Sequence, residues 1–209
     1  MGKVAIFGGT FDPVHWGHLL MAETALSQFG LDKVIWIPAR CPPHKSQSCW
    51  LDFEHRWELV RLAICDRSAF AILPRSCQPI GYSYAIDTLE DLQSLYSHTH
   101  LCWIIGLDAF QTLPRWHRRQ ELVPACEWLV APRPDAFGNS SVDSLCQQVA
   151  QKLESQSIAI RWQALQMPSV GISSSLIRQY YRQGRSIRYL VPEAVRTYLQ
   201  LQVSSHPDN

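Results

Sequence analysis

Near the start of the chain stands the run Gly8-Gly9-Thr10-Phe11-Asp12-Pro13-Val14-His15-Trp16-Gly17-His18. Two glycines let a backbone come close to a ligand, and amides leading into a helix favour an anion. His15 and His18 flank the helix entrance, where imidazoles can donate hydrogen bonds to phosphate oxygens. Asp12-Pro13 is a turn signal. A second group of the same chemical kind lies near the other end: Gly171-Ile172-Ser173-Ser174-Ser175-Leu176-Ile177-Arg178. Three hydroxyls at a helix N-terminus point donors at an anion. Arg178, three residues after Ser175, shares its helical face and can grip phosphate with two parallel hydrogen bonds. Each group alone has an ordinary reading, a tight turn with surface histidines and a serine cap with a solvated arginine. Neither is the dinucleotide-binding G-x-G-x-x-G pattern or a Walker loop.

Three further stretches carry candidate groups. Pro42-Pro43-His44-Lys45 is a loop whose lysine could fold over a phosphate. Ser83-Tyr84-Ala85-Ile86-Asp87-Thr88-Leu89 opens an amphipathic run, and Ile105-Gly106-Leu107-Asp108 is followed by Trp116-His117. Tyr189 to Val195 opens a C-terminal helix whose role is packing.

The elements that must hold these groups follow from periodicity. Val4 to Phe7 is a short apolar run, a buried strand, and Leu19, Leu20, Ala22, Ala25, Leu26 and Phe29 recur at helical spacing. Gly30 ends that helix, and Lys33 to Pro38 is a second strand, so the unit is a right-handed crossover in a parallel sheet. Ala39 to Leu51 is a loop. Asp52 caps a helix whose apolar side is Phe53, Trp57, Val60, Leu62, Ala63 and Ile64. Ala69 to Leu73 is a third strand, and Ser83 caps the next helix, with Ile86, Leu89, Leu92 and Leu95 inward. Leu101 to Gly106 is a central strand buried on both faces. Pro114 to Arg119 reads as a polar, aromatic connection, and Glu127 to Ala131 as a fifth strand. After a loop from Asp135 to Ser141, Val142 to Leu153 is a surface helix. Alternation of Ile158, Ile160 and Trp162 gives a sixth strand at an edge. Two helices, Ser173 to Gln183 and Pro192 to Leu201, close the chain.

Strands alternating with helices give an α/β fold: a doubly wound, Rossmann-like parallel sheet with helices on both faces and a helical C-terminal end. Ligands of such sheets sit at the strands' carboxyl ends, at a topological switch point. The expected organisation is a single domain over residues 1–203 and a disordered tail over 204–209.

Composition narrows the partners. The 209 residues are 46% apolar and 18% charged, enough for one well-filled core, and the net charge is +1. Nothing points to a bulk nucleic-acid or membrane surface. The chain opens directly into its first strand, so neither a signal peptide nor a membrane span is expected. Seven cysteines without a Cys-x-x-Cys argue against a disulfide framework or a zinc site and for a reducing cytoplasm. Cys41 and Cys49 fall in a polar loop without a catalytic partner.

In their order, these motifs resemble the His-x-Gly-His nucleotidyltransferases, and within them the bacterial nicotinate-nucleotide adenylyltransferases. GGTFDPVHWGH is similar to the first signature. Ile172 to Arg178 is similar to the family's Ile-Ser-Ser-Thr-x-x-Arg, with Ser175 where the family usually shows threonine. Tyr84 to Leu89 departs only in Ala85, which replaces a threonine. The matches run from Phe7 to Leu199, nearly the whole chain.

The resemblance implies transfer of AMP from ATP to nicotinate mononucleotide, giving deamido-NAD and pyrophosphate. It implies that Gly8, Gly9, Thr10, Phe11, His15, His18, Gly106, Asp108, Ile172, Ser173, Ser174 and Arg178 bind ATP. Among these, His15, His18 and Arg178, together with Lys45, are catalytic, and His18 stabilises the transition state. Ser174 and Arg178 would meet the β- and γ-phosphates and Asp108 the ribose. Lys45, Tyr84, Thr88 and Trp116 would receive the mononucleotide, with Trp116 stacked on its ring. Magnesium would ride mainly on the ATP phosphates, since the motifs offer no carboxylate cage. Asp12 and Asp87 read as structural, a turn and a local cap.

The residues suit that chemistry independently. Nucleotidyl transfer needs no protein nucleophile; the mononucleotide phosphate attacks, and the protein aligns anions and offsets developing charge. No Ser-His-Asp arrangement or spaced carboxylate pair points elsewhere. The alternatives are a relative acting on nicotinamide mononucleotide or phosphopantetheine, a cytidylyltransferase, and a non-catalytic nucleotide sensor. Phosphopantetheine enzymes usually carry threonine in place of His15, and cytidylyltransferases lack Pro-Pro-His-Lys and the Tyr84 to Leu89 segment.

Overall fold

The structure, a computed structural model, describes residues 2–40, 49–75, 84–132 and 141–203. In chain order the elements are β1 (Lys3–Gly9), α1 (Trp16–Phe29), β2 (Lys33–Pro38), α2 (Phe53–Ile64), β3 (Phe70–Ile72), α3 (Ala85–Leu95) and β4 (His100–Gly106). There follow α4 (Leu107–Thr112), a 3₁₀ turn (Leu113–Arg115), α5 (Arg119–Ala125), β5 (Glu127–Ala131), α6 (Val142–Glu154), β6 (Arg161–Ala164), α7 (Ser174–Arg182) and α8 (Glu193–Tyr198). A π-helical turn, Leu199–Val203, ends the described chain.

Among the described residues the six strands form one sheet in the order β3-β2-β1-β4-β5-β6, every pair parallel. Side chains alternate across each strand, so the sheet separates two apolar layers. Ala5, Phe7, Cys102 and Ile104 pack with Ala22 and Ala25 of α1, Leu59 of α2, Ile177 of α7 and Val195 of α8. Val4, Ile6, Trp103 and Trp128 pack with Leu89 of α3, Phe110 of α4, Leu122 of α5 and Val149 of α6. Burial on both faces explains why β1 and β4 read as unbroken apolar runs. The chain steps outward from β1 to β3, then returns to lay β4 against β1's other edge. The crevice of such a sheet opens at that reversal, beyond Gly9 and Gly106.

Local chemistry sets the boundaries. Gly30 takes the left-handed conformation (φ 58°) that closes α1. Asp52 caps α2 by accepting from the His55 amide at 2.8 Å, and Ser141 caps α6. The described cysteines are free thiols: Cys102, Cys126 and Cys146 are buried, Cys49 is half-buried and Cys65 exposed.

Several expectations need correction. The N-cap residue of α3 is Tyr84, and Ser83 lies outside the described residues. Pro114 to Arg119 is a connection, as expected, but it sits within an unexpected run of short helical pieces, from α4 through α5, in which Phe110, Leu113, Leu122 and Val123 are fully buried. Its pieces are too short to show a 3.6-residue period. The sixth strand is at an edge but starts at Arg161. Ile158 is buried before it, its amide bonded to Leu153 O at the end of α6, so its burial reflects a turn rather than strand alternation. Pro192 is the N-cap of α8, and the last helix breaks into a π turn at Leu199.

Candidate active site

Three segments converge beyond β1. The first loop begins at Gly9, where an added Cβ would stand 2.8 Å from the Phe11 ring, so a side chain there has no room. Phe11 itself holds a positive φ of 48° and is 2% exposed, its ring packed on Phe7, Trp36 and His18. The Phe11 side chain therefore supports the loop, and what it can offer a ligand is its backbone. Asp12-Pro13 is a cis peptide. The buried Asp12 carboxylate accepts from the amides of Trp50 (2.8 Å) and Leu51 (3.0 Å), a structural role as expected, though it ties two segments rather than a turn.

His15, the N-cap of α1, and His18 lie stacked with ring centroids 3.7 Å apart and planes 26° from parallel. Nδ1 of each ring is enclosed and without a partner. Burial pushes the His15 pKa down to about 4. Burial, then the neighbouring His15, holds His18 well below the ordinary imidazole range. Both rings are neutral near pH 7, donors rather than charges. Gly17 between them was quoted in the motif but not singled out. A Cβ on it would lie 3.0 Å from His15 Nδ1 and 3.5 Å from Ile172 O, so the missing side chain admits both the stacked ring and the second signature.

That second signature docks onto the first loop. Ser173 caps α7 by accepting from the Leu176 amide at 3.2 Å. Ser174 Oγ donates to Pro13 O at 2.9 Å. Arg178 donates from Nη1 to Asp12 O at 2.8 Å and from Nη2 to Ser175 Oγ at 3.1 Å. Residues 161 and 166 positions apart are thus brought together.

A pocket of about 240 Å³ opens over the carboxyl ends of β1 and β4. Gly8, Gly9, Thr10 and Gly106 line it with Tyr84, Thr88 and Trp116, so the expected mononucleotide residues gather beside the glycines. Ala39, Trp103 and His117 line it too and were not singled out as ligand groups. Adjacency of Trp116 and His117 was the available signal; the His117 ring lies 4.5 Å from that of Tyr84. Trp116 Nε1 donates to Thr112 Oγ1 at 2.9 Å. Thr88 Oγ1 lies 3.4 Å from Tyr84 O, a long bond that a better acceptor could replace. Asp87 is 43% exposed and turns to Arg118, 3.9 Å away, which also pairs with Glu90 and Glu121. Asp108 stands exposed in the first turn of α4, one residue past Leu107. His15, His18, Asp108, Ile172, Ser173, Ser174 and Arg178 do not line this pocket. Lys45 lies outside the described residues.

At the sheet's other end, His100, Cys102 and Glu127 place one ligand atom each within 4.8 Å of one another. Cross-strand pairing sets Lys3 beside His100 and Arg161 beside Glu127. With Gln163 also donating to Glu127, the group is a His100–Glu127 hydrogen bond at 3.1 Å inside a polar seam, with two basic residues beside it.

Comparison with known proteins gives one answer. The cytidylyltransferase-like family model matches residues 6–180. A "Probable nicotinate-nucleotide adenylyltransferase" of Trichormus variabilis is 54% identical over 200 residues, covering 95% of each chain. One from Synechococcus sp. (strain JA-2-3B'a(2-13)) is 45% identical over 198 residues, covering 95% of this chain and 94% of its own. The structure is similar to that of a Plasmodium falciparum nicotinic acid mononucleotide adenylyltransferase complexed with NaAD, at TM-score 0.74 and 18% identity, covering 96% of this chain and 95% of that one.

Proposed function

The chain belongs to the cytidylyltransferase-like family and, within it, to the nicotinate-nucleotide adenylyltransferases, and from that membership we propose how its residues join AMP to nicotinate mononucleotide. The activity is a nucleotidyl transfer from ATP that yields nicotinate adenine dinucleotide, a step of NAD biosynthesis. A phosphate oxygen of the mononucleotide forms the new bond to the α-phosphorus. The bond from that phosphorus to the bridging oxygen breaks, and pyrophosphate leaves with the electron pair. No protein nucleophile takes part.

One observation carries the reading: the stacked His15–His18 pair lies at the α1 N-terminus, on the same loop to which Ser174 and Arg178 are hydrogen-bonded. With Nδ1 enclosed on both rings, Nε2 is the atom each offers. A neutral imidazole protonated on Nε2 donates to a phosphate oxygen, and the contact strengthens as charge builds on the bridging oxygen. Gly8, Gly9, Thr10 and the Phe11 backbone approach the phosphates. Arg178 and Ser174 exchange their carbonyl partners for β- and γ-phosphate oxygens, or brace the loop that meets them. Asp108 and Gly106, at the end of β4, face the adenosine, and Ile172 and Ser173 border it. Tyr84, Thr88 and Trp116 form the pyridine pocket, and Lys45 approaches the phosphates.

Magnesium bound to ATP would be held by phosphate oxygens and water rather than by protein carboxylates, and would offset the triphosphate charge. The donor set fits this, since the Asp12 carboxylate is already committed to two amides. We place the protein in the cytoplasm as one domain over residues 1–203; no described helix is long and apolar enough to cross a membrane. Its partners are small molecules, ATP and nicotinate mononucleotide, not nucleic acid or membrane.

Pyrophosphate release from Mg-ATP with nicotinate mononucleotide tests the reading, with phosphopantetheine and a CTP-dependent reaction as controls. Release with nicotinate mononucleotide alone is the expected result. Its absence from folded protein overturns the proposal.

A further inference from the structure

Thr10 and Ala39 line the pocket, and one side chain holds both of their carbonyls from behind. Arg56, in the first turn of α2, is 1% exposed. Its Nη1 donates to Thr10 O at 2.7 Å and to Ala39 O at 2.8 Å. Nη2 donates to Arg40 O at 3.2 Å and Nε to Leu51 O at 3.1 Å. One guanidinium therefore fastens the first loop, the exit of β2 and the approach to α2. Burying such a charge is unfavourable, and an arginine on an amphipathic helix would ordinarily be solvated.

A trans peptide is planar, with its C=O and N–H pointing in opposite directions. The Thr10–Phe11 bond is not among the cis peptides. Fixing Thr10 O on Arg56 therefore aims the Phe11 N–H away from the guanidinium. Phe11 pays for that orientation with its positive φ of 48°, which a non-glycine residue holds only when the surroundings impose it. A positive charge against the oxygen also polarises the peptide and makes its N–H a stronger donor.

We infer that Arg56 is a positioning residue for the transfer: it turns the Thr10–Phe11 peptide so that the Phe11 amide donates to a substrate phosphate oxygen. This rests on the adenylyltransferase reading. Arg56 touches no substrate itself. Lysine at this place keeps the charge but cannot span three segments with one planar fork.

The chain contains a single Thr-Phe dipeptide, so carbonyl-labelled threonine with amide-labelled phenylalanine isolates the Phe11 amide in an NMR spectrum. Titration with inorganic pyrophosphate should move that resonance downfield in the wild type, and Arg56→Lys should abolish the movement. In the folded variant kcat should fall by about 10- to 100-fold while KM for the mononucleotide changes little, as for a misaligned donor. A Phe11 amide that ignores pyrophosphate in the wild type overturns the inference, as does Arg56→Lys with normal kcat and only a lower melting temperature. If that variant does not fold, Arg56→Gln takes its place: a Phe11 amide that still answers pyrophosphate in the folded Arg56→Gln protein overturns the inference. An active wild type with a silent Phe11 amide sinks this inference only; an inactive wild type sinks the adenylyltransferase reading.

Discussion

His15 and His18 lie face to face, their centroids 3.7 Å apart, and burial holds both neutral. The His15 pKa falls from 6.5 to about 4 on folding. Between those values the unfolded chain binds the proton and the folded chain does not, so stability declines as pH falls through that window. For His15 alone the loss approaches about 3 kcal/mol at its lower end. The melting temperature of the ligand-free protein should drop from pH 6.5 towards 4, and His15→Asn should flatten the drop. Thermal melts of both proteins from pH 6.5 to 4 read this; a drop of equal size in His15→Asn would contradict it.

His18→Ala should lower kcat by about 10²–10³ with a much smaller effect on mononucleotide binding. The lost donor matters most once charge has built up on the bridging oxygen. Steady-state kinetics on both substrates separates the outcomes, and a change confined to KM would make His18 a ground-state contact.

Gly17→Ala sets two effects against each other. Inside α1 alanine gains about 1 kcal/mol over glycine in helix propensity. The squeeze against His15 Nδ1 at 3.0 Å costs about 1–3 kcal/mol. The melting temperature should therefore shift by only a few degrees while turnover falls at least about tenfold, because the displaced group is the His15 ring. Normal turnover would show that the ring's position is not critical.

Arg178→Lys should behave as a severe substitution. The arginine spans Asp12 O and Ser175 Oγ with two different nitrogens, and an ammonium on a flexible stem cannot hold both. ATP turnover should drop at least about tenfold and the melting temperature should fall, since the two signatures lose a link. Near-normal turnover would remove Arg178 from the reaction.

The acid, nicotinate mononucleotide, should be preferred over the amide. The pocket borders the N-terminus of α3, where free amides and the positive end of the helix dipole suit a carboxylate. Asp87, the carboxylate that could reverse this, is turned to Arg118. A ratio of kcat/KM values near one, or favouring the amide, would sink the preference and leave the transferase standing.

Much of this site was legible because its groups lie in short runs. The Gly8 to His18 loop and the Ile172 to Arg178 helix start stand where their residue order places them, and strand and helix periods gave the sheet. Arg56 was not legible. Nothing in Phe53 to Ile64 distinguishes a buried arginine from a solvated one, since its partners are carbonyls contributed by distant residues. Gly17 was visible as a letter in a motif, but its reason, clearance for His15 and Ile172, exists only after folding. The short helices after β4 escaped because six or seven residues cannot display a helical period, although Phe110 and Leu122 fill the core.

The strand order carries a consequence for biosynthesis. β1 leaves the ribosome first, yet it ends in the middle of the sheet. Its neighbour β2 follows within a few dozen residues, but β4 begins only at His100. Until then the nascent chain presents β1 with one open, apolar edge, the kind of template that recruits other strands. A chain stalled or cut between Ile72 and His100 is thus the form most prone to aggregate, and the one whose survival depends most on a chaperone covering that edge.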